Sequence, residues 1–297
     1  MRFLLACLLL VSSLHAKWEK VTYPLTTDPI DVVIPCSPKD LETLELCIDG
    51  IKQYGANLRR IIVVSKEKLT DKAEWFDEAK FPFDKEQVAL EIFGGDAVAA
   101  QEFIDHPKTR IGWIYQQLLK FYTPFVIPDI SPNVLILDSD VIFIKPVSFM
   151  GEQGEPLFAS SREYTQEYMD HANRLLPDFK RVHPARSGVA HHMLFQKPIL
   201  EDLLQVIKKR HQAEPWKAIL RCIDRNVLYA SSMSEYEIYF NFAFLRTTQA
   251  TLRPLRSINI VALRLFSIYS KHHYDFITCH SWARDLPFTF MLYEDGR

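Results

Sequence analysis

Asp138 and Asp140, separated by Ser139, follow directly on the apolar run Val134 to Leu137 (VLIL). Two carboxylates at the carboxyl end of a buried strand stand where α/β sheets place their ligands. In extended chain, residues i and i+2 point the same way, so both acids face one cation. Hard oxygen donors suit Mg²⁺ or Mn²⁺, and such an ion would also grip a diphosphate. The same triplet is also an ordinary polar strand end or turn, and it is the strand in front of it that favours chemistry. A second acidic pair lies in Ser234-Glu235-Tyr236-Glu237, which on its own reads as a capped helix N-terminus with its acids on the dipole. Arg110, Gln117 and Lys120 precede the DxD strand, and a cation or amide there reaches a diphosphate or a hydroxyl. Lys120 snorkelling from an amphipathic helix into water is the plainer account. His191 and His192 are adjacent in SGVAHHMLF, so in extended chain only one faces a cleft, and neighbours of this kind are poor zinc partners.

The elements that must position these groups are legible around them. Asp31 to Pro35 (DVVIP) reads as a short buried strand, and Ser37-Pro38-Lys39-Asp40 supplies an N-cap, a proline at N1 and an acid at N3. Leu41, Leu44, Cys47, Ile48, Ile51 and Tyr54 then recur at helical spacing, with Gly55 as the stop. Arg60 to Ser65 (RIIVVS) predicts a second strand, Ala89 to Phe93 a third, and Gly94-Gly95 a turn. Gly112 to Tyr122 predicts a helix with Trp113, Gln117 and Lys120 near one face. Strands alternating with helices argue a mainly parallel, Rossmann-like sheet covered by helices on both faces. Beyond residue 145 the expected elements are an extended Pro156 to Ser160, helices near 164–176, 198–211 and 234–246, and a late strand Phe276 to Cys279. No internal repeat or linker divides the chain, so residues 31–297 read as one domain after a polar lead-in, 17–30.

Composition removes several alternatives. With 297 residues, 48% hydrophobic, 24% charged and a formal charge of −2, the chain is an ordinary globular protein with no polyanion-binding signature, so nucleic acid is not an expected partner. Its nine glycines contain no GxGxxG, no Walker loop and no GxSxG, and the ten histidines form no HExxH. The first sixteen residues, MRFLLACLLLVSSLHA, read as a secretory signal. Their apolar run of about 12 residues falls short of the roughly 20 that span a bilayer. Secretion or export is therefore expected, with an uncleaved segment on the cytosolic face of a membrane as the alternative. Of the cysteines left, Cys36, Cys47, Cys222 and Cys279, a Cys36–Cys47 bridge is disfavoured by the helix between them, and free half-buried thiols are expected.

The strand DVVIP with its SPKD turn, GWIYQQLLKFY, NVLILDSDVIFIKPVSF and SEYEIY together resemble the GT-A class of metal-dependent glycosyltransferases, over roughly Asp31 to His280. The DxD segment is the specific part, and the nearest members are poorly characterised bacterial families. The resemblance implies a GT-A-like fold and transfer of a sugar from a nucleotide-diphospho-sugar to the hydroxyl of a glycan, lipid or protein. It implies that Asp140 coordinates Mn²⁺ or Mg²⁺, that Asp138 contacts the ribose or the metal's water shell, and that His280 in FITCHSW is a third ligand. A histidine beside Trp282 is as readily a satisfied structural residue. Pro35 and Ser37 would border the base, and Arg110, Gln117 and Lys120 the diphosphate or donor sugar. Glu235 or Glu237 would serve as the base of an inverting transfer, and His191 or His192 would meet the acceptor.

Two other readings stand beside it. LILDSDVIF partly resembles the hhhhDxDx(T/V) motif of haloacid-dehalogenase-like phosphatases, whose first aspartate is a nucleophile. Those enzymes open with that strand and add a later GDxxxD, whereas here about 100 residues of α/β pattern come first and Gly95-Asp96 leads to Ala100 and Gln101. The signal-like segment motivates an exported carbohydrate-binding or effector-like protein that keeps the scaffold without turnover.

Overall fold

The computed structural model describes residues 18–284 and 294–295, and the signal-like segment 1–16 lies outside them. β1 (Ile30–Pro35) is buried at every position, which a strand covered on both faces requires. A 3₁₀ turn at Pro38–Asp40 leads into α1 (Leu41–Tyr54), which Gly55 ends. β2 (Leu58–Ser65) and β3 (Glu74–Asp77) follow, then α2 (Lys85–Ile92), α3 (Ala97–Asp105) and α4 (Ile111–Val126). β4 (Asn133–Leu137) runs into the DxD and on to β5 (Val141–Phe143). Next come β6 (Leu157–Phe158), α5 (Gln166–Leu175), β7 (His192–Gln196), α6 (Lys197–His211) and α7 (Pro215–Arg221). α8 (Glu235–Arg246), β8 (Thr251–Leu252), β9 (Ser257–Asn259), α9 (Phe266–Tyr269) and β10 (Phe276–Thr278) complete the part that concerns the site.

The central sheet has the order β3-β2-β1-β4-β7, parallel except for β7, which returns antiparallel on β4. From β1 the chain builds outward through β2 and β3, then crosses back to lay β4 on the other side. The carboxyl ends of β1 and β4 therefore flank a topological switch point, the place where open α/β sheets hold ligands. Alternate strand residues feed two cores: Val33, Val134 and Ile136 face the layer of α4, α6 and α8, while Val32, Ile34, Leu135 and Leu137 face α1 and β5. A smaller sheet pairs β5 antiparallel with β10, and β10 parallel with β9. Gly50 is needed where α1 crosses β5, since a Cβ there would lie 2.6 Å from the Phe143 carbonyl oxygen. The mainly parallel α/β architecture is thus as the sequence predicts.

One expected strand is a helix. Residues 89–93 fall at the end of α2, where Asp84 and Gln87 form a reciprocal capping box and Val88, Ala89 and Ile92 bury one helical face. An apolar run this short carries no period of its own, and the cap decides it. The third strand of the sheet is instead Glu74–Asp77, an edge strand too polar to announce itself. All four described cysteines are free and buried. Among the described residues no helix is long and apolar enough to cross a membrane.

Candidate functional site

Strand register brings the chemistry together. Leu137 pairs with His192 across β4 and β7, so Asp138 lies beside His191, and its N–H donates to the His191 carbonyl at 3.0 Å. Val141 pairs with Thr278 across β5 and β10, so the Cys279 N–H donates to the Asp140 carbonyl at 3.1 Å and His280 comes next. Each aspartate thereby receives its own histidine. His280 Nδ1 lies 2.8 Å from Asp140 Oδ2, and His191 Nδ1 lies 3.4 Å from Asp138 Oδ2. The two imidazole rings are 4.5 Å apart.

Behind the DxD sits a buried lysine. Lys120 Nζ donates to Asp138 Oδ1 at 2.6 Å and to Glu235 Oε1 at 2.7 Å, from a side chain only 4% exposed. It is the end of the α4 face that the helical spacing predicts, but the face turns inward, so snorkelling is ruled out. Tyr236 adds its hydroxyl to the same Asp138 oxygen at 3.0 Å, and its ring lies 4.3 Å beneath Lys120 Nζ. Burial lowers the Lys120 ammonium, but Asp138 and Glu235 outweigh it and hold it above its ordinary range. Burial raises the Asp138 carboxyl, and Lys120 and His191 overcome this to keep it well below the usual carboxylate range. At Asp140 burial is likewise overcome, by His280. Glu235 goes the other way, since burial raises it by more than Lys120 restores. His191 is raised, its burial being outweighed by Asp138.

Gln117 and Glu237 do structural work. Gln117 Oε1 accepts from the Glu235 N–H at 3.0 Å, tying α4 to the first residue of α8. Ser234 caps α8 by accepting from the Glu237 N–H at 3.2 Å. The Glu237 carboxylate is taken up by the Ser187 hydroxyl at 2.6 Å, the Gly188 N–H at 2.9 Å and Asn241 Nδ2 at 3.1 Å. It anchors the segment that leads to His191 and has no oxygen to offer an acceptor, which removes it as a base. Gly188 permits that contact, because a Cβ there would lie 2.6 Å from the Tyr236 carbonyl oxygen.

His192 is also corrected. It is 2% exposed, boxed edge-on by Phe143, Phe149 and Phe276, and turned away from the mouth of the sheet. Burial lowers its pKa to about 3, so the ring is neutral core. Only one histidine of the pair reaches the cleft, as expected, but the segment is not extended throughout. His191 has φ +60°, in the left-handed region, which costs a non-glycine residue about 1–3 kcal/mol and gathers at functional sites.

Of the other predicted residues, Pro35 ends β1 at the switch point and accepts from Gln116 Nε2 at 3.1 Å. Ser37 makes no capping bond, and its hydroxyl is buried without a partner. Arg110 is the N-cap residue of α4, with its guanidinium 4.6 Å from the Trp113 ring centre. Trp113 in turn stacks on Tyr168. No contact joins Arg110 to either aspartate among the described residues. Tyr236 is the participant that residue-type reasoning passes over, although it stands between the two glutamates already singled out.

A divalent cation fits the donor chemistry. Asp138, Asp140 and Glu235 bring three negative charges against one lysine, leaving two in excess when both histidines are neutral. Asp140 Oδ1 is buried and has no hydrogen-bond partner, an expensive state for a carboxylate oxygen unless a cation takes it. The groups stand as two acid–histidine pairs; among the described residues no trio of His, Cys, Asp or Glu already forms a cage.

Comparison with known proteins completes the description. The model of a family described as "Family of unknown function (DUF6492)" matches residues 27–256. No curated protein matches the sequence. Among solved structures the chain is similar over 88% of its length to the whole of mouse xyloside xylosyltransferase 1, at 11% identity and a TM-score of 0.42. It is similar over 86% of its length to 97% of a glycosyltransferase involved in glycosylation of the major capsid of PBCV-1, at 15% identity and a TM-score of 0.36. Over 84% of its length it is similar to 86% of an active-site mutant of LgtC, at 14% identity and a TM-score of 0.39.

Proposed function

The chain belongs to the family of unknown function DUF6492, and we propose that it transfers a sugar from a nucleotide-diphospho-sugar to an acceptor hydroxyl with the help of Mn²⁺ or Mg²⁺. The observation that carries this reading is the position of Asp138 and Asp140 at the carboxyl end of β4, beside the β1/β4 switch point, with an excess of negative charge and an unpartnered carboxylate oxygen. Asp138, Asp140 and His280 would hold the cation, which when bound supplies Lewis-acid neutralisation of a leaving diphosphate.

The chain's own residues do the rest. Pro35 and Ser37 border the space for the nucleotide base. Lys120 has both of its strong bonds committed to carboxylates, so it positions Asp138 and Glu235 and does not grip phosphate directly. Its charge still lowers the cost of gathering two acids at one point. Glu235 remains the candidate base for inversion, because burial already makes it the better proton acceptor of the two DxD-linked acids. Glu235 Oε1 is held by Lys120, so Oε2 is the oxygen that would take the proton.

Calorimetric titration of the full chain with nucleoside diphosphates and their sugars, with and without Mn²⁺, tests the reading. Binding of one nucleotide family only with metal, together with slow donor hydrolysis, is the expected result. Folded protein that binds no nucleotide would refute it and leave a carbohydrate-binding protein without turnover.

A further inference from the structure

We infer that His191, and not only His280, belongs to the cation site, so that two imidazoles and two carboxylates surround the ion; the inference rests on the metal-dependent reading above. The register that pairs Leu137 with His192 leaves His191 directly over Asp138, joined to it through backbone at 3.0 Å and through Nδ1 to Oδ2 at 3.4 Å. That second distance is long for a charge-assisted hydrogen bond, which settles near 2.7–2.9 Å. It is close to the roughly 3 Å that separates neighbouring donors on an ion with bonds of about 2.1 Å. His280 reaches the same place from β10 through Asp140, and the two ring centres stand 4.5 Å apart.

The chain also accepts a left-handed backbone at His191, φ +60°, to turn this ring outward while its neighbour His192 goes into the aromatic core. Of the four groups His191 is the most accessible, at 29%, so it can move onto an entering ion without rebuilding the core. A second imidazole changes which ion the site prefers. Mg²⁺ and Mn²⁺ both accept oxygen donors, but each imidazole added is a poorer match to Mg²⁺ than to the first-row ions, of which Mn²⁺ is the hardest and Zn²⁺ binds nitrogen more strongly. His191 is then a specificity-determining ligand and not an acceptor contact.

The test uses the full chain and the metals themselves, without nucleotide or turnover. Calorimetry measures Mn²⁺ and Mg²⁺ affinities, and pulsed EPR of bound Mn²⁺ with isotopically labelled histidine counts the ligating nitrogens. His191→Asn is the informative variant, because asparagine tolerates the left-handed backbone and lacks the imidazole; His191→Gly is a second variant that keeps the turn. The expected result is two histidine nitrogens in the wild type and one in either variant. Mn²⁺ binding should weaken at least about tenfold and Mg²⁺ binding stay nearly level, so that the preference collapses. One histidine nitrogen in the wild type, or an unchanged Mn²⁺ preference in both variants, overturns the role of His191 and leaves the metal-dependent reading standing. Folded wild-type protein that binds neither metal overturns that reading and this inference with it.

Discussion

Replacing Lys120 with methionine keeps the volume of the side chain and removes the ammonium that bridges Asp138 and Glu235. Glu235 is 4% exposed and Asp138 21%, so water does little to replace the ammonium. Breaking a buried ion pair by removing one partner costs about 3–5 kcal/mol, and we expect the lower end, about 3 kcal/mol, because Asp138 keeps Tyr236 and His191. At roughly 2–4 °C per kcal/mol, that loss lowers the melting temperature by about 6–12 °C near neutral pH. The deficit has a definite sign with pH. Without Lys120 the already raised Glu235 rises further, so the folded chain holds a proton that the unfolded chain gives up, and stability falls as pH increases through that window. Asp138 loses part of its depression, and the stability it contributes above its ordinary pKa is lost at pH 5 as at pH 8, so the difference between those two conditions comes from Glu235. Thermal melts followed by circular dichroism should therefore show Lys120→Met weakest at pH 8 and closer to wild type at pH 5. Adding Glu235→Gln should restore about half of the loss. A variant within about 2 °C of wild type at pH 8, or a deficit that widens on acidification, would refute the account of Lys120 as counter-ion to both acids.

Three further outcomes follow from the same contacts. Asp140→Asn should abolish Mn²⁺ binding in calorimetry while leaving the melting temperature level or slightly raised, since it removes a buried charge with one unpartnered oxygen; retained Mn²⁺ binding would take Asp140 out of the site. Glu237→Gln should cost about 1–3 kcal/mol through its bonds to Ser187 and Gly188, yet leave metal affinity unchanged, and a loss of Mn²⁺ binding without destabilisation would contradict its anchoring role. His192→Phe should flatten the acid limb of the stability curve. The native ring titrates at about 3 against an unfolded value of about 6.5, so the unfolded chain binds the extra proton and stability drops on acidification. Between pH 6.5 and 4 the wild type should lose about 3 kcal/mol more than the variant, read from denaturant melts; parallel curves would place a partner on the His192 nitrogens.

How far the sequence reveals this site depends on the range of the interaction that decides each residue. β1, the run into α1 and β4 with its DxD are local patterns, an apolar strand and then turn or acid, and the structure has them where the residues predict. The Ser234 cap and the start of α8 are local as well, and they are observed. The strand expected at 89–93 fails because a polar capping box that starts five residues upstream outranks a short apolar run. The roles of the acids and histidines are decided at long range. Which of His191 and His192 faces the cleft depends on pairing with Leu137, more than fifty residues away, and on a left-handed turn that no periodicity reports. Glu235 and Glu237 differ in fate only because Lys120 reaches the first and Ser187 the second.

The same argument explains why DxD, a weak motif alone, is informative in this chain. β4 and β5 are one stretch of chain that leaves the central sheet and enters the smaller one, and the three residues between them are the crossing. Each sheet then sends back an antiparallel strand, β7 on β4 and β10 on β5, and each return carries a histidine close to its last paired position, His191 one residue before His192 and His280 two residues after Thr278. A crossing between sheets would be stable with neutral turn residues and would then need neither histidine nor a buried lysine. The chain instead concentrates three carboxylates there and stabilises them with one ammonium, which leaves negative charge in excess while the two histidines are neutral. Fold stability alone gives no reason for that excess, because apolar groups of similar volume in place of buried ions are often neutral or stabilising. The imbalance is what a cation-dependent site requires before its ion and diphosphate arrive, and it is the feature that metal titration of Asp140→Asn and His191→Asn addresses directly.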